Sequence, residues 1–189
     1  MQIIFFSFVV FFAIIINFLT NQGFFNVSDR LFWKQTSNLF SKNQPIKLSI
    51  PSVRIESSIE KVGVDSNGNM QTPTTPKIIS WYQFGALPGE KGNLVFSGHR
   101  DSTIGPGVFF TLSNIKKGDP ITVTTANNKT FTYIASNIVE VPRDDLPIND
   151  IFSSQKKLKQ IYITTCAGNF DIFTKRYDDR VYVKGSLKN

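Results

Sequence analysis

The chain has 189 residues, 41% of them apolar, enough for one ordinary domain with its own core plus an appendage. Its formal charge is +7, from 21 Lys and Arg against 14 Asp and Glu, a balance that favours acidic surroundings such as anionic lipid or an anionic cell wall. A single cysteine excludes an intrachain disulfide framework and a cysteine zinc cluster, a single histidine argues against a His-rich metal site, and no nucleic-acid motif accompanies the scattered basic residues.

Residues Ile3 to Leu19 carry no charge, with only Ser7 and Asn17 as polar breaks. As a helix this run spans about 26 Å, close to a bilayer core of about 30 Å. No Lys or Arg precedes it, and Thr20-Asn21-Gln22-Gly23 is a poor cleavage site, so it reads as an uncleaved anchor rather than a secretory signal. Residues 1–20 are therefore expected to be a membrane helix, residues 21–44 a polar linker, and residues 45–189 one globular domain. Arg30 and Lys34, taken alone, would place the following side in the cytoplasm.

Strand signals follow. Ile46 to Ile50 alternates apolar and polar residues, as does Val53-Arg54-Ile55. Asp65-Ser66-Asn67-Gly68-Asn69 is a turn. Pro120 to Thr124 and Thr130 to Ile134 flank Ala126 to Lys129 as a hairpin, and Ile138 to Val141 continues the sheet. Short helices are expected near Trp81 to Phe84, Val108 to Asn114 and Ile148 to Gln160. Lys156-Lys157-Leu158-Lys159 reads as the solvated face of that last helix. Strands this frequent, with turns between them, indicate a mainly β fold, a small closed or nearly closed barrel.

The chemistry gathers at three strand ends. Cys166 ends the run Ile161 to Cys166, His99 ends Asn93 to His99, and Arg180 opens Arg180-Val181-Tyr182-Val183. A thiol and an imidazole are the minimum parts for nucleophilic catalysis, and a guanidinium suits a developing oxyanion. Period two puts Ile161, Ile163 and Thr165 on one face and Tyr162, Thr164 and Cys166 on the other. It likewise groups Val181 with Val183, and Arg180 with Tyr182 and Lys184. If the aliphatic faces point inward and these strands are neighbours, Cys166 and Arg180 meet outside the core. The plainer readings are a buried hydrophobic Cys166, a turn His99 bonded to backbone, and an Arg180 paired with Asp178 or Asp179. Arg176 is a rival for the Arg180 role.

Together, Ser97-Gly98-His99-Arg100-Asp101, Ile163-Thr164-Thr165-Cys166 and Arg180-Val181-Tyr182-Val183 resemble the sortases, cysteine transpeptidases of the bacterial cell surface. Leu87-Pro88-Gly89-Glu90-Lys91-Gly92-Asn93 and Gly105-Pro106-Gly107-Val108-Phe109-Phe110 are similar to the same family, closest to its classes E and F. The likeness runs from Ile46 to Val183. Where the family pattern has a threonine four residues before the cysteine, this chain has Tyr162.

The resemblance implies an eight-stranded closed barrel with short helices, preceded by one transmembrane helix. It implies Cys166 as nucleophile, His99 as acid/base, Arg180 as stabiliser of oxyanion or substrate, and Thr165 lining the substrate site. It implies an LPXTG-like sorting signal as substrate and an amine of the cell wall or a pilin as acceptor. The domain would then stand outside a single-pass anchor, overriding the charge argument. No cofactor, metal or nucleic acid is implied. The alternatives are a hydrolytic cysteine peptidase and an inactive anchored barrel that binds peptide or wall polymer.

Overall fold

Eight strands close into a barrel in the computed structural model of the chain, which describes residues 42–153 and 157–188. Around the wall run β1 (Pro45–Ile50), β2 (Ile55–Val62), β3 (Ile79–Tyr82), β4 (Gly92–Ser97), β9 (Lys159–Asp171), β10 (Arg176–Leu187), β8 (Thr130–Pro142) and β7 (Pro120–Thr125). β7 then pairs with β1 and completes the ring. The short strands β5 (Asp101–Ser102) and β6 (Gly105–Pro106) form a separate hairpin directly after His99. One helical turn, α1 (Ile148–Ile151), precedes β9. The mainly β, eight-stranded closed barrel is as expected. The expected membrane helix of residues 1–20, and the linker up to residue 41, lie outside the described residues. Among the described residues no helix is long and apolar enough to cross a membrane.

Alternation builds the antiparallel part of the wall. In β7 the inward residues Ile121 and Val123 are fully buried while Thr122 and Thr124 are only half-buried. The Asp65 turn forms as expected, its carboxylate accepting from the Asn67 and Asn69 N–H groups. In the region of parallel pairing, β2 with β3 and β4 with β9, the strands β3 and β4 are covered on both faces and lose their alternation. Gly92 to Phe96 are buried without a break. The same cause corrects the expected helix at Trp81 to Phe84. Ile79, Ser80 and Trp81 are buried in succession in β3, a pattern that period two does not reveal.

Three further expectations change. Val53-Arg54-Ile55 is no strand. Pro51 starts a 3-10 turn through Val53, and Arg54 takes φ 53°, reversing the chain into β2. The helix expected over Val108 to Asn114 shrinks to a 3-10 turn, Leu112–Asn114. The helix expected over Ile148 to Gln160 ends at Ile151, and Lys159 already belongs to β9. Lys157, Leu158 and Lys159 are exposed as expected, but not on a helix.

The core is the barrel interior, where Leu48, Ile79, Trp81, Leu94, Phe96, Phe109, Ile121, Tyr133, Ile161, Ile163 and Val183 are at most 1% exposed. A second cluster of Val95, Tyr162 and Ile151 sits outside the wall, where α1 covers β4 and β9. The Leu87-Pro88-Gly89-Glu90 turn plugs one edge. Gly89 has φ 82° and lies so close to the Phe131 ring that a Cβ would overlap it, while its N–H donates to the Tyr133 hydroxyl.

Phe96 makes the core testable. Phe96→Ala is expected to lower unfolding free energy by about 3–5 kcal/mol, measured by denaturant titration.

Candidate active site

Cys166 lies on β9 with its neighbours fixed by register. Arg180 on β10 is its direct cross-strand partner. Directly opposed residues of an antiparallel pair share a face, so thiol and guanidinium emerge on the same side, away from the buried Ile161, Ile163, Val181 and Val183. The register shifts between Tyr177 and Asp179, a bulge immediately before Arg180. Arg180 Nη1 donates to the carbonyls of Asp179 at 2.7 Å and Tyr177 at 3.3 Å. The bond to Asp179 is thus to backbone and not to the carboxylate. Asp178 instead accepts from the Asn169 N–H at 2.6 Å and from its amide Nδ2 at 3.2 Å. Arg176, the rival, is exposed at the hairpin tip opposite Asp171.

His99 arrives from the other flank. β4 runs parallel to β9 with Ser97 beside Thr164. The ladder is extended by Gly98 N–H donating to the Thr164 carbonyl at 3.3 Å and by the Thr165 hydroxyl donating to the Gly98 carbonyl at 2.8 Å. Continuing that register sets the His99 backbone level with Cys166. The segment after β6 closes behind it. Phe109 N–H donates to the His99 carbonyl at 2.9 Å, and Gly107 N–H to the Arg100 carbonyl at 2.7 Å. A Cβ on Gly98 would meet Phe109 and Val108, and one on Gly107 would meet the His99 carbonyl. Glycine at both positions lets this segment seat against the bend.

His99, Cys166 and Arg180 therefore stand on or just beyond three adjacent strands, with the thiol in the middle. Thr165 is buried, its hydroxyl engaged by Gly98, and it lines with Cys166 a cavity of about 100 Å³. A larger cavity of about 370 Å³ lies toward the start of β4, among Tyr82, Phe84, Asn93 and Phe152, and none of the four expected site residues lines it. Among the described residues no cluster of three His, Cys, Asp or Glu side chains is placed to hold a metal ion.

The sortase domain family model matches residues 48–188. The chain belongs to the sortase family. No curated protein matches the chain significantly. Solved structures do. A sortase D5 transpeptidase of Clostridium perfringens is 26% identical at a TM-score of 0.57, over 76% of this chain and 78% of that one. Sortase C1 of Streptococcus agalactiae is 24% identical at 0.58, over 76% and 66%. Sortase A of Listeria monocytogenes is 17% identical at 0.57, over 78% and 88%.

The thiol of this sortase does not sit in the electrostatic setting that two cationic neighbours suggest. Burial pushes the Cys166 pKa up, and Asp101 pushes the same way. Arg180 and Arg100 pull it down without cancelling the desolvation. Desolvation thus favours the neutral thiol over the thiolate at this position.

Three residues beside the candidate site carry no signal in sequence spacing alone. Arg100 lines the cavity with Cys166 and donates Nη1 to the Gly168 carbonyl at 2.9 Å. Its guanidinium lies over the Tyr177 ring, 5.1 Å from the centroid. The Tyr177 hydroxyl donates to Asp101 Oδ2 at 2.6 Å, and burial with that carboxylate pushes the phenol up to about 12. Arg100 and Asp101 adjoin His99, which is the only available hint. Their partner Tyr177 is remote in sequence.

If Arg180 holds the thiol pKa down, Arg180→Ala moves the pH midpoint of Cys166 alkylation by iodoacetamide upward, and Arg176→Ala leaves it in place. Equal shifts in both variants would remove the special position of Arg180.

Proposed function

We propose that this sortase is a membrane-anchored cysteine transpeptidase, with Cys166 as nucleophile, His99 as acid/base and Arg180 as oxyanion stabiliser. The observation that carries the reading is the cross-strand pairing of Cys166 with Arg180 beside the strand that delivers His99. The likeness to a C. perfringens sortase described as a transpeptidase supports the reaction type.

The reaction begins as the sulfur attacks a peptide carbonyl carbon and His99 accepts the thiol proton. The tetrahedral oxyanion is met by the Arg180 guanidinium, a donor worth about 3 kcal/mol when well aimed. The C–N bond then breaks, the imidazolium gives its proton to the leaving amine, and a thioester remains on Cys166. An incoming amine attacks the thioester carbonyl, surrenders a proton to His99 and expels the sulfur, which is reprotonated. The raised thiol pKa gives His99 a defined task, because attack requires a base rather than a preformed thiolate.

The substrate is an LPXTG-like sorting signal cut between Thr and Gly, and the acceptor is an amine of the cell wall or a pilin. Both are what the resemblance of the motifs around His99, Cys166 and Arg180 to class E and F sortases implies. Thr165 contributes one wall of the substrate site. The apolar run Ile3 to Leu19 is the single-pass anchor, with the barrel on the outer face of the cell membrane.

Incubation of the protein with an LPXTG-type peptide and triglycine, followed by mass spectrometry, tests the reading. Expected are a thioester on Cys166 and a new amide product, both lost in Cys166→Ala while the fold survives. Free acid as the only product would make the protein a hydrolytic peptidase. Full activity in Cys166→Ala would end the proposal.

A further inference from the structure

The barrel ladder stops at the catalytic candidates. β4 ends at Ser97, and its register with β9 ends at Thr164. His99, Arg100 and Asp101 lie beyond it, so something other than the ladder must hold the imidazole's backbone near the thiol. Behind the bend, Phe109 holds the His99 carbonyl. In front, the two residues that follow His99 reach across to β9 and β10. Arg100 donates to the Gly168 carbonyl, two residues past Cys166. It also covers the Tyr177 ring, and Asp101 accepts from the Tyr177 hydroxyl. The Tyr177 carbonyl in turn accepts from Arg180. Tyr177 thus touches the neighbours of His99 with its side chain and Arg180 itself with its backbone. A tilted contact with the Phe170 ring, centroids 5.1 Å apart, braces it from β9.

We propose that Arg100, Asp101 and Tyr177 form a clasp that holds the His99 bend against the Cys166 and Arg180 strands, with Arg100 as its central positioning residue. The proposal deepens the transpeptidase reading and rests on Cys166 and His99 acting together. Each contact suits the task. An arginine-to-carbonyl bond is charge-assisted and directional, and the planar guanidinium stacks on an aromatic face as an ammonium does not. The Tyr177 phenol, pushed up to about 12, remains the donor to Asp101 at any physiological pH.

The clasp also brings charge to the sulfur. The charged or titratable groups that act on or border Cys166 are Arg180 and Tyr177 on β10, Arg100 and Asp101 after β4, and Glu140 on β8, which borders the same cavity, while the strand register brings the His99 backbone level with it. Arg100 favours the thiolate and Asp101 opposes it, so the two act on the sulfur in opposite directions while acting together on the bend.

The test uses Arg100→Ala, Arg100→Lys and Tyr177→Phe in the full chain, with folding confirmed by circular dichroism. Two readouts are taken: transfer of an LPXTG-type peptide to triglycine, and the pH dependence of Cys166 alkylation by iodoacetamide. Arg100→Ala is expected to lower kcat about tenfold or more, with KM within about twofold of the parent, and to raise the alkylation midpoint. Arg100→Lys restores the midpoint but only part of kcat, because a lysine keeps the charge and loses the fork. Tyr177→Phe keeps the ring under Arg100, loses the bond to Asp101, and lowers kcat severalfold.

If Arg100→Ala does not fold, Arg100→Lys and Tyr177→Phe decide the matter. Parental kcat in both of those overturns the clasp. An unchanged alkylation midpoint in folded Arg100→Ala overturns it as well, whether or not the peptide is turned over. The transpeptidase reading itself fails by a different result, activity that persists in Cys166→Ala.

Discussion

The pairing of β9 with β10 is the constraint on which the rest of the site depends. It is held by two rows of buried aliphatic residues, Ile161 and Ile163 against Val181 and Val183. A slip of one residue would turn these rows toward solvent and carry the thiol face inward, at a cost of several buried side chains. The apolar rows therefore enforce the opposition of Cys166 and Arg180. The bulge after Tyr177 acts within that frame and brings the Asp179 carbonyl within reach of the guanidinium.

Burial and charge compete at the sulfur, and burial wins. A half-buried thiol loses hydration that a thiolate needs, and Arg180 and Arg100 return only part of it. A simple count of nearby cations predicts a preformed thiolate. In the proposed reaction the nucleophile is instead created on demand by the imidazole, so the placement of His99 matters more than the number of positive charges. The bend that carries His99 is built accordingly, with two glycines admitting the Phe109 segment behind it and the Arg100 contacts in front.

Legibility in the sequence followed the environment of each strand. β7, the start of β8 and Leu48 to Ile50 of β1 are wet on one face, so their alternation is plain and the hairpin is read correctly, whereas Ile46, beside the register shift at the start of β1, turns outward. β3 and β4 are covered on both faces in the region of parallel pairing, and Trp81 in particular gave no period to read. Val53-Arg54-Ile55 alternates by accident, because Pro51 commits the chain to a tight turn and Arg54 to a left-handed conformation. Period two put Cys166 and Arg180 each on the face opposite its strand's aliphatic row, and the pairing of β9 with β10 brought those faces together. The place of Arg180 just before the last strand, as the resemblance implies, favours it over Arg176, and the register adds that it lies opposite Cys166.

By itself the sequence determined a β-rich domain, the face that each chemical side chain occupies, and the uniqueness of one thiol and one imidazole. These are local properties, set by strand periodicity and composition. Tertiary structure decided which strands are neighbours, that desolvation outweighs cationic charge at Cys166, and that Arg100 and Asp101 find Tyr177. Those outcomes depend on burial and on contacts between residues far apart along the chain, and no local pattern encodes either.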